Sequence, residues 1–255
     1  MGVRTWLGTR HSLAAEAGLI VVFYAVYEAA RGFVAGDRSS AVHRAHEIVH
    51  LERALHVFAE PSVQRAAGDV PGLLALLGFA YVTLHLAVSG AVLLWLHARR
   101  PALFPTVRTT LIVASALSLI GFLAFPTAPP RMAGAGLQDS VSRNAIDLNH
   151  GLISAIYNPY AAVPSMHVAY ALIAGLAVVA FARQRALRLV AAVYPAFVLL
   201  VIVATGNHFF FDAVAGAAVA AVSAAIAVGL QPRRRSLAVV PIPLEARREA
   251  TERAA

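Results

Sequence analysis

The most informative segment for the fold lies near the end of the chain, where residues 205–230 read TGNHFFFDAVAGAAVAAVSAAIAVGL. After Asp212 this stretch has no charged residue up to Leu230. A helix of about 20 mostly apolar residues is long enough to cross the hydrocarbon core of a bilayer. His208 precedes Asp212 by four residues, which places the two side chains on one helical face. The stretch therefore predicts a membrane-spanning helix with two titratable groups at one end.

The composition of the whole chain agrees with a membrane protein. Of its 255 residues, 59% are hydrophobic and only 13% are charged, whereas a soluble domain has about 45–50% apolar and about 25% charged residues. The chain contains no cysteine, which excludes a disulfide framework, a thiol nucleophile and any cysteine-ligated metal site.

Six segments are long and apolar enough to be membrane spans. The sequence therefore predicts an all-α, integral membrane domain over residues 1–230 that forms a bundle of six transmembrane helices. We see no small-residue cleavage site after the first segment and predict that it is an uncleaved span. The predicted spans are residues 12–31, 72–96, 109–127, 165–182, 188–206 and 212–230.

The arginines predict how the bundle is oriented. The formal net charge is +8, and all 21 basic residues are arginine. With six spans, one side carries fourteen arginines, including Arg108, and the other side carries seven. The positive-inside rule then places both termini, and the Arg-rich tail at 231–255, in the cytoplasm of a plasma-membrane protein. We expect the inner arginines to contact anionic lipid, and we expect no nucleic-acid partner.

The outer segment between spans one and two is too long for a plain loop. Residues 41–60 have apolar side chains at helical spacing with charges between them. We predict one amphipathic helix there, lying at the membrane interface.

Polar residues return to one membrane level on the outer side. His167 and His208 are 41 residues apart, which corresponds to about 20 residues down through the bilayer and about 20 back. Arg131 ends the third span at the same level. The spacing thus predicts that two imidazoles and a guanidinium meet in an outward-facing site.

These residue types fit phosphoryl transfer. Hydrogen bonding to Asp212 would make the other ring nitrogen of His208 more nucleophilic, and His167 is suited to protonate a leaving group. Arg131 is a candidate phosphate ligand, or it only anchors an outer loop. Ser165 and Asn207 are further candidate phosphate ligands, although Ser165 also fits a simple helix N-cap.

Three more residues are predicted to line the cavity of this site. His85 lies inside the second span, where an ionisable side chain is costly and so is a functional candidate. It either lines the cavity below the two histidines or bonds to a neighbouring helix. Tyr81 lies one helical turn before it, and Tyr160 lies in the lead-in to span four.

The chain resembles the type-2 phosphatidic acid phosphatase superfamily, and most closely its branch of inositol phosphorylceramide synthase-like bacterial membrane proteins. The resemblance covers about residues 70–230 and rests on PSMH at 164–167, TGNH at 205–208 with Asp212, and APPR at 128–131. It implies six spans, a nucleophilic His208 with Asp212 as its partner, His167 as proton donor, and no metal or other cofactor.

The chain also departs from the phosphatase branch. It has Ile202 in place of an arginine, Met166 in place of a glycine, and no counterpart of the first-motif lysine. The interpretation that follows is an inositolphosphotransferase-like enzyme acting on a membrane lipid phosphoester, with a polyol or sugar as acceptor. A plain lipid phosphatase, with water as acceptor, uses the same residues.

Two interpretations that assign the chain to other functional classes stay open. His46, Glu47 and His50 form a literal HExxH, the zinc and general-base pattern of a membrane metalloprotease. The glycine that a third metzincin ligand needs is replaced by Arg53, however, so an ordinary charged helix is the simpler reading. A transporter or scaffold that binds a lipid headgroup without turnover is the third possibility.

Overall fold

The computed structural model describes residues 11–33, 37–144 and 158–231. Over these ranges the chain is helical, with one isolated β-bridge between Thr127 and Ala161. A 3-10 turn at Pro130–Met132 follows the fifth helix. The α-helices are α1 (Leu13–Phe33), α2 (Arg38–Ala54), α3 (Glu60–Gly68), α4 (Leu73–Arg99), α5 (Phe104–Ala124), α6 (Ser140–Asn144), α7 (Met166–Phe181), α8 (Arg185–Ala204) and α9 (Phe210–Leu230).

Five of these helices, α1, α4, α5, α8 and α9, are long and apolar enough to cross a membrane. The predicted all-helical membrane fold is confirmed to this extent. The sixth predicted span corresponds to α7, which has only 16 residues and a length of about 24 Å against the ~30 Å of a hydrocarbon core. The count of six spans therefore stays a prediction. The predicted tail lies outside the described residues from 232 onward.

Arg108 corrects the predicted boundary of the third span. That span was expected at 109–127, but α5 begins at Phe104, with Pro105 in its first turn where proline is favoured. Arg108 therefore lies inside the helix and is buried rather than facing the cytoplasm and anionic lipid. Its Nη1 donates to both carboxylate oxygens of Glu16, at 2.5 and 2.7 Å. A charge inside an apolar bundle needs such a partner.

The predicted single helix over 41–60 is wrong. Helix α2 ends at Ala54 because His56 adopts a left-handed backbone conformation, with φ of 57°, which terminates a helix. A new helix, α3, starts at Glu60, with Pro61 in its first turn. The buried face of α2 packs, through Ile48 and Val49, against the segments that follow α5 and precede α7. Its location at the membrane interface stays a prediction.

The core brings the N-terminal ends of α7 and α9 together. Helix α7 packs against α4, α8 and α9, and α9 also packs along α5. Gly216 on α9 lies so close to α7 that an added Cβ would be 2.3 Å from the carbonyl oxygen of Ser165. Only glycine permits this approach, which places His167 and His208 beside each other.

Candidate active site

Two backbone contacts hold the site together. The N–H of Thr127, just after α5, donates to the carbonyl of Tyr160 at 2.7 Å. The N–H of Ser165, at the start of α7, donates to the carbonyl of Asp212 at 3.0 Å. Because these segments come from three different parts of the chain, the site depends on the packing of α5, α7 and α9.

The turn between α8 and α9 has a specific requirement for glycine. Gly206 has φ of 71°, a conformation that side chains disfavour, and an added Cβ would lie 3.0 Å from both Gln138 and Gln64. Its carbonyl accepts a hydrogen bond from the N–H of Arg131 at 3.2 Å. The turn thus fixes the Arg131 loop next to His208.

The hydrogen bonds of His208 define its tautomer. Its Nδ1 lies 3.1 Å from the carbonyl oxygen of Ala162 and 3.1 Å from Oδ2 of Asp212. Both partners accept, so Nδ1 carries the proton and Nε2 has the lone pair. The same Oδ2 accepts from the N–H of Phe209 at 3.0 Å, which holds the carboxylate in place. Both side chains are buried, and His208 lines a cavity at this end of the bundle.

His167 lies next to His208 on the cavity wall. The ring centroids of the two histidines are 5.5 Å apart in an edge-to-face arrangement. Nε2 of His167 lies 3.0 Å from the carbonyl oxygen of Tyr81, which assigns the ring proton to Nε2 and leaves Nδ1 to exchange a proton. The Tyr81 ring stacks on His167 at 4.3 Å, and His85 contacts it from another side at 4.2 Å. Tyr81 and His85 thus line this cavity, which for His85 is one of the two alternatives that the sequence leaves open.

Arg131 and Asn207 also line the cavity and are bonded to each other. Nη1 of Arg131 donates to Oδ1 of Asn207, and its Nε lies 3.3 Å from a carboxylate oxygen of Asp139. The guanidinium is therefore held in one orientation, with several of its five N–H donors already engaged. Its predicted role as a phosphate ligand stays a prediction.

Two predicted site residues lie away from the cavity lining. Ser165 is fully buried at the start of α7, and its hydroxyl has no hydrogen-bond partner among the described residues. It makes no side-chain cap either. Tyr160 packs in the apolar cluster beneath α2. Neither side chain lines the cavity, so their predicted contacts to substrate stay predictions.

Helix α1 supplies a wall of the cavity that the sequence analysis missed. Tyr24, Tyr27, Glu28 and Arg31 all line it. Their spacing of three and four residues places them on one helical face, and this polar stripe within an apolar helix was the signal in the sequence. From the sequence, Arg31 is only one of the seven arginines on the side of the membrane opposite the predicted cytoplasmic termini. The structure brings it to the site, where Asn158 also donates to its backbone carbonyl at 2.9 Å.

Two buried carboxyl groups cap α9 behind the site. Oε1 of Glu52 accepts from the N–H of Phe211 at 2.8 Å, and Oε1 of Glu60 accepts from the N–H of Phe210 at 3.2 Å. Burial, together with contact to the Glu60 carboxyl, raises the pKa of Glu52 to about 9. The first N–H groups of α9 are thus bound by the protein's own carboxyl groups and not left open to an anion.

The HExxH residues do not assemble a metal site. Nε2 of His46 lies 3.0 Å from the carbonyl oxygen of Ala133, and Glu47 forms an exposed pair with His43 at 3.4 Å. Within the described ranges, no group of three or more histidine, cysteine, aspartate or glutamate side chains has the geometry to hold a metal ion. The motif therefore gains no third ligand there.

Comparison with known proteins places this site in a family. The family model described as the PAP2 superfamily matches residues 46–226, well over half of the chain. The match includes His167, His208 and Asp212 but not helix α1. It identifies the superfamily and not one of its branches. No curated protein and no solved structure matches the chain.

Proposed function

The chain belongs to the PAP2 superfamily, and on this premise we propose that it transfers the phosphoryl-containing group of a membrane lipid phosphoester through a phosphohistidine at His208. Membership supports phosphatase or phosphotransferase chemistry in general. The observation that carries the specific proposal is the tautomer of His208, whose Nδ1 is bound by Ala162 and Asp212 so that Nε2 faces the reaction as a nucleophile.

The first step forms one bond and breaks one. Nε2 of His208 attacks phosphorus, and the bond from phosphorus to the leaving oxygen breaks. His167, protonated on Nδ1, gives that proton to the departing oxygen. Arg131 balances the negative charge that builds on the phosphorus oxygens, because a guanidinium matches phosphate geometry and is always charged.

The second step returns the enzyme to its starting state. His167, now neutral, takes a proton from the O–H of the acceptor, whose oxygen attacks phosphorus. The bond from phosphorus to Nε2 breaks. Water as acceptor gives a lipid phosphatase, while an alcohol such as inositol or a sugar gives a phosphotransferase. We retain the inositolphosphotransferase-like reading as the finer proposal, because Tyr24, Tyr27 and Asn158 add hydroxyl and amide groups to the cavity that suit a polyol.

No metal ion has a part in this reaction scheme.

The distribution of the arginines supports an orientation in which the site faces outward across the plasma membrane and both termini are cytoplasmic. In this orientation, we expect anionic lipid to contact the cytoplasmic arginines other than Arg108.

The test compares two histidine variants of the purified protein in detergent micelles. We expect His208→Ala to lose at least about 10³-fold of its turnover of a lipid phosphate, in the presence or absence of EDTA, because the nucleophile is gone. His50→Ala is the matched control, since His50 is exposed on α2, and it should keep the parent rate.

The other outcomes separate the alternatives. EDTA-sensitive proteolysis that is lost in His50→Ala would replace the proposal with the metalloprotease. Headgroup binding without turnover, in both the parent and His208→Ala, would replace it with a transporter or scaffold. Product analysis by mass spectrometry, with and without an added polyol, distinguishes transfer to an alcohol from release of inorganic phosphate.

A further inference from the structure

Helix α1 contributes a cation to the cavity from outside the region that the family model matches. The match begins at residue 46, whereas Arg31 lies in the last turn of α1. Its side chain lines the same cavity as His167, His208 and Arg131. It is also close enough to His85 and His167 to interact with them electrostatically.

The bonding of Arg31 is incomplete in a way that points to a ligand. Its Nη2 lies 3.0 Å from Oε2 of Glu28. Its Nε is buried and has no hydrogen-bond partner among the described residues. A buried N–H without a partner is costly. An oxygen atom of a bound molecule that reaches Nε would satisfy it, and a guanidinium matches the charge and geometry of a phosphate.

Arg131 alone offers a bound phosphate few N–H donors. Its Nε and Nη1 are engaged by Asp139 and Asn207. The carboxylate of Asp139 also offsets its charge. A transferring phosphoryl group spreads negative charge over several oxygens, which two guanidinium groups stabilise better than one.

We propose that Arg31 binds the substrate phosphate as a second guanidinium opposite Arg131, so that α1 completes the site; this rests on the proposed function. Glu28 weakens the binding of phosphate by Arg31, because its carboxylate pairs with one side of the guanidinium. The ligand class is a phosphate mono- or diester whose oxygens reach both arginines. Helix α1 is therefore part of the active site and not only a membrane anchor.

The roles assigned to Arg31 and Glu28 predict opposite effects for two variants that break the same ion pair. Inorganic phosphate, tested as an inhibitor of lipid phosphate turnover, is the probe. In Arg31→Gln we expect its inhibition constant to rise about tenfold to a hundredfold, because a charge-assisted contact is lost. In Glu28→Gln we expect the constant to fall a few-fold, because the guanidinium is no longer neutralised.

Two matched variants complete the experiment. Arg38→Gln removes the same charge from an exposed site on the next helix and should stay within about twofold of the parent. Arg31→Lys should recover part of the loss, because it restores the charge but not the paired donors. Elution volume and melting temperature in detergent show that each variant is folded.

The outcomes distinguish this inference from the proposed function. If the parent turns over lipid phosphate and His208→Ala does not, while Arg31→Gln matches Arg38→Gln, the role of Arg31 is wrong and the function stands. If Arg31→Gln and Glu28→Gln raise the inhibition constant alike, the pair is only structural. If the parent has no such turnover, the proposed function fails first.

Discussion

Helix α1 carries two glutamate–arginine pairs, and they differ in what surrounds them. Near its start, Glu16 and Arg108 have side chains that are only 2% and 1% exposed, and Arg108 reaches both carboxylate oxygens. Near its end, Glu28 and Arg31 lie at the cavity, 17% and 24% exposed, and the Nε of Arg31 lacks a partner among the described residues. Both pairs join a glutamate of α1 to an arginine, but only the second lines the cavity that His167 and His208 also line.

The difference shows how the same chemistry serves structure in one place and function in another. A buried pair stabilises the fold only while both members are present, because removal of one leaves an uncompensated charge. A pair at a cavity keeps part of its bonding capacity for a ligand. Substitutions in the first pair should therefore change the stability of the protein, and substitutions in the second pair should change its activity.

The largest expected effect is on folding. Arg108→Ala should destabilise the protein by about 3–5 kcal/mol, since it leaves Glu16 charged and buried. Arg31→Ala should cost about 1 kcal/mol or less, because its site is partly open. Thermal unfolding in one detergent measures both. Equal losses for the two variants would contradict the distinction between the pairs.

Removing the whole buried pair sharpens the same point. In the double variant Glu16→Leu with Arg108→Met, apolar side chains of similar volume replace both charges. We expect most of the stability lost in Arg108→Ala to return. The measurement is again the melting temperature, now compared across the parent, the single variant and the double variant. A double variant as unstable as Arg108→Ala would mean that the ion pair itself holds α1 against α5.

Glu52 and Glu60 extend the comparison to a buried pair of like charge. The folded-state pKa of Glu52, about 9, lies above the ~4.3 of an unfolded chain. Its contribution to stability is thus fully present below about pH 4.3 and is lost as the pH rises through about 9. We expect the melting temperature of Glu52→Gln to fall less steeply than that of the parent between pH 6 and pH 9. Identical slopes would mean that Glu52 is ionised in the folded protein.

The smallest effect is expected at an exposed pair. His43 and Glu47 have side chains that are 74% and 57% exposed, so water competes with their contact. Glu47→Ala should therefore leave both the melting temperature and the lipid phosphate turnover of the parent unchanged. A loss of activity in this variant would revive the HExxH reading.

The sequence predicted the features that depend on local pattern. Long apolar runs predicted the helices. The four-residue spacing of His208 and Asp212 predicted their contact, but not that His208 lies in the turn before α9 instead of on its helical face. The return of His167 to the level of His208 followed from helix length alone. These inferences needed only hydropathy and the geometry of a helix.

The remaining features depend on contacts between distant segments. Glu16 meets Arg108 across 92 positions, and Glu52 meets the Phe211 amide across 159 positions. No periodicity reveals such partners. The break at His56 depends on a single residue with a left-handed backbone conformation. The neighbouring Arg53 and Ala54 favour a continued helix, so the sequence does not indicate this break. The polar stripe of α1 was visible, but only packing shows that Arg31 reaches the histidines.

Trapping of the covalent intermediate tests the phosphohistidine at His208 most directly. The parent protein, mixed with a ³²P-labelled lipid phosphate and denatured at once, should carry label that is released by acid, as a phosphoramidate bond is. We expect His208→Ala to carry none and His50→Ala to carry as much as the parent. Turnover by the parent without any trapped label, or equal label on His208→Ala, would contradict nucleophilic catalysis by His208.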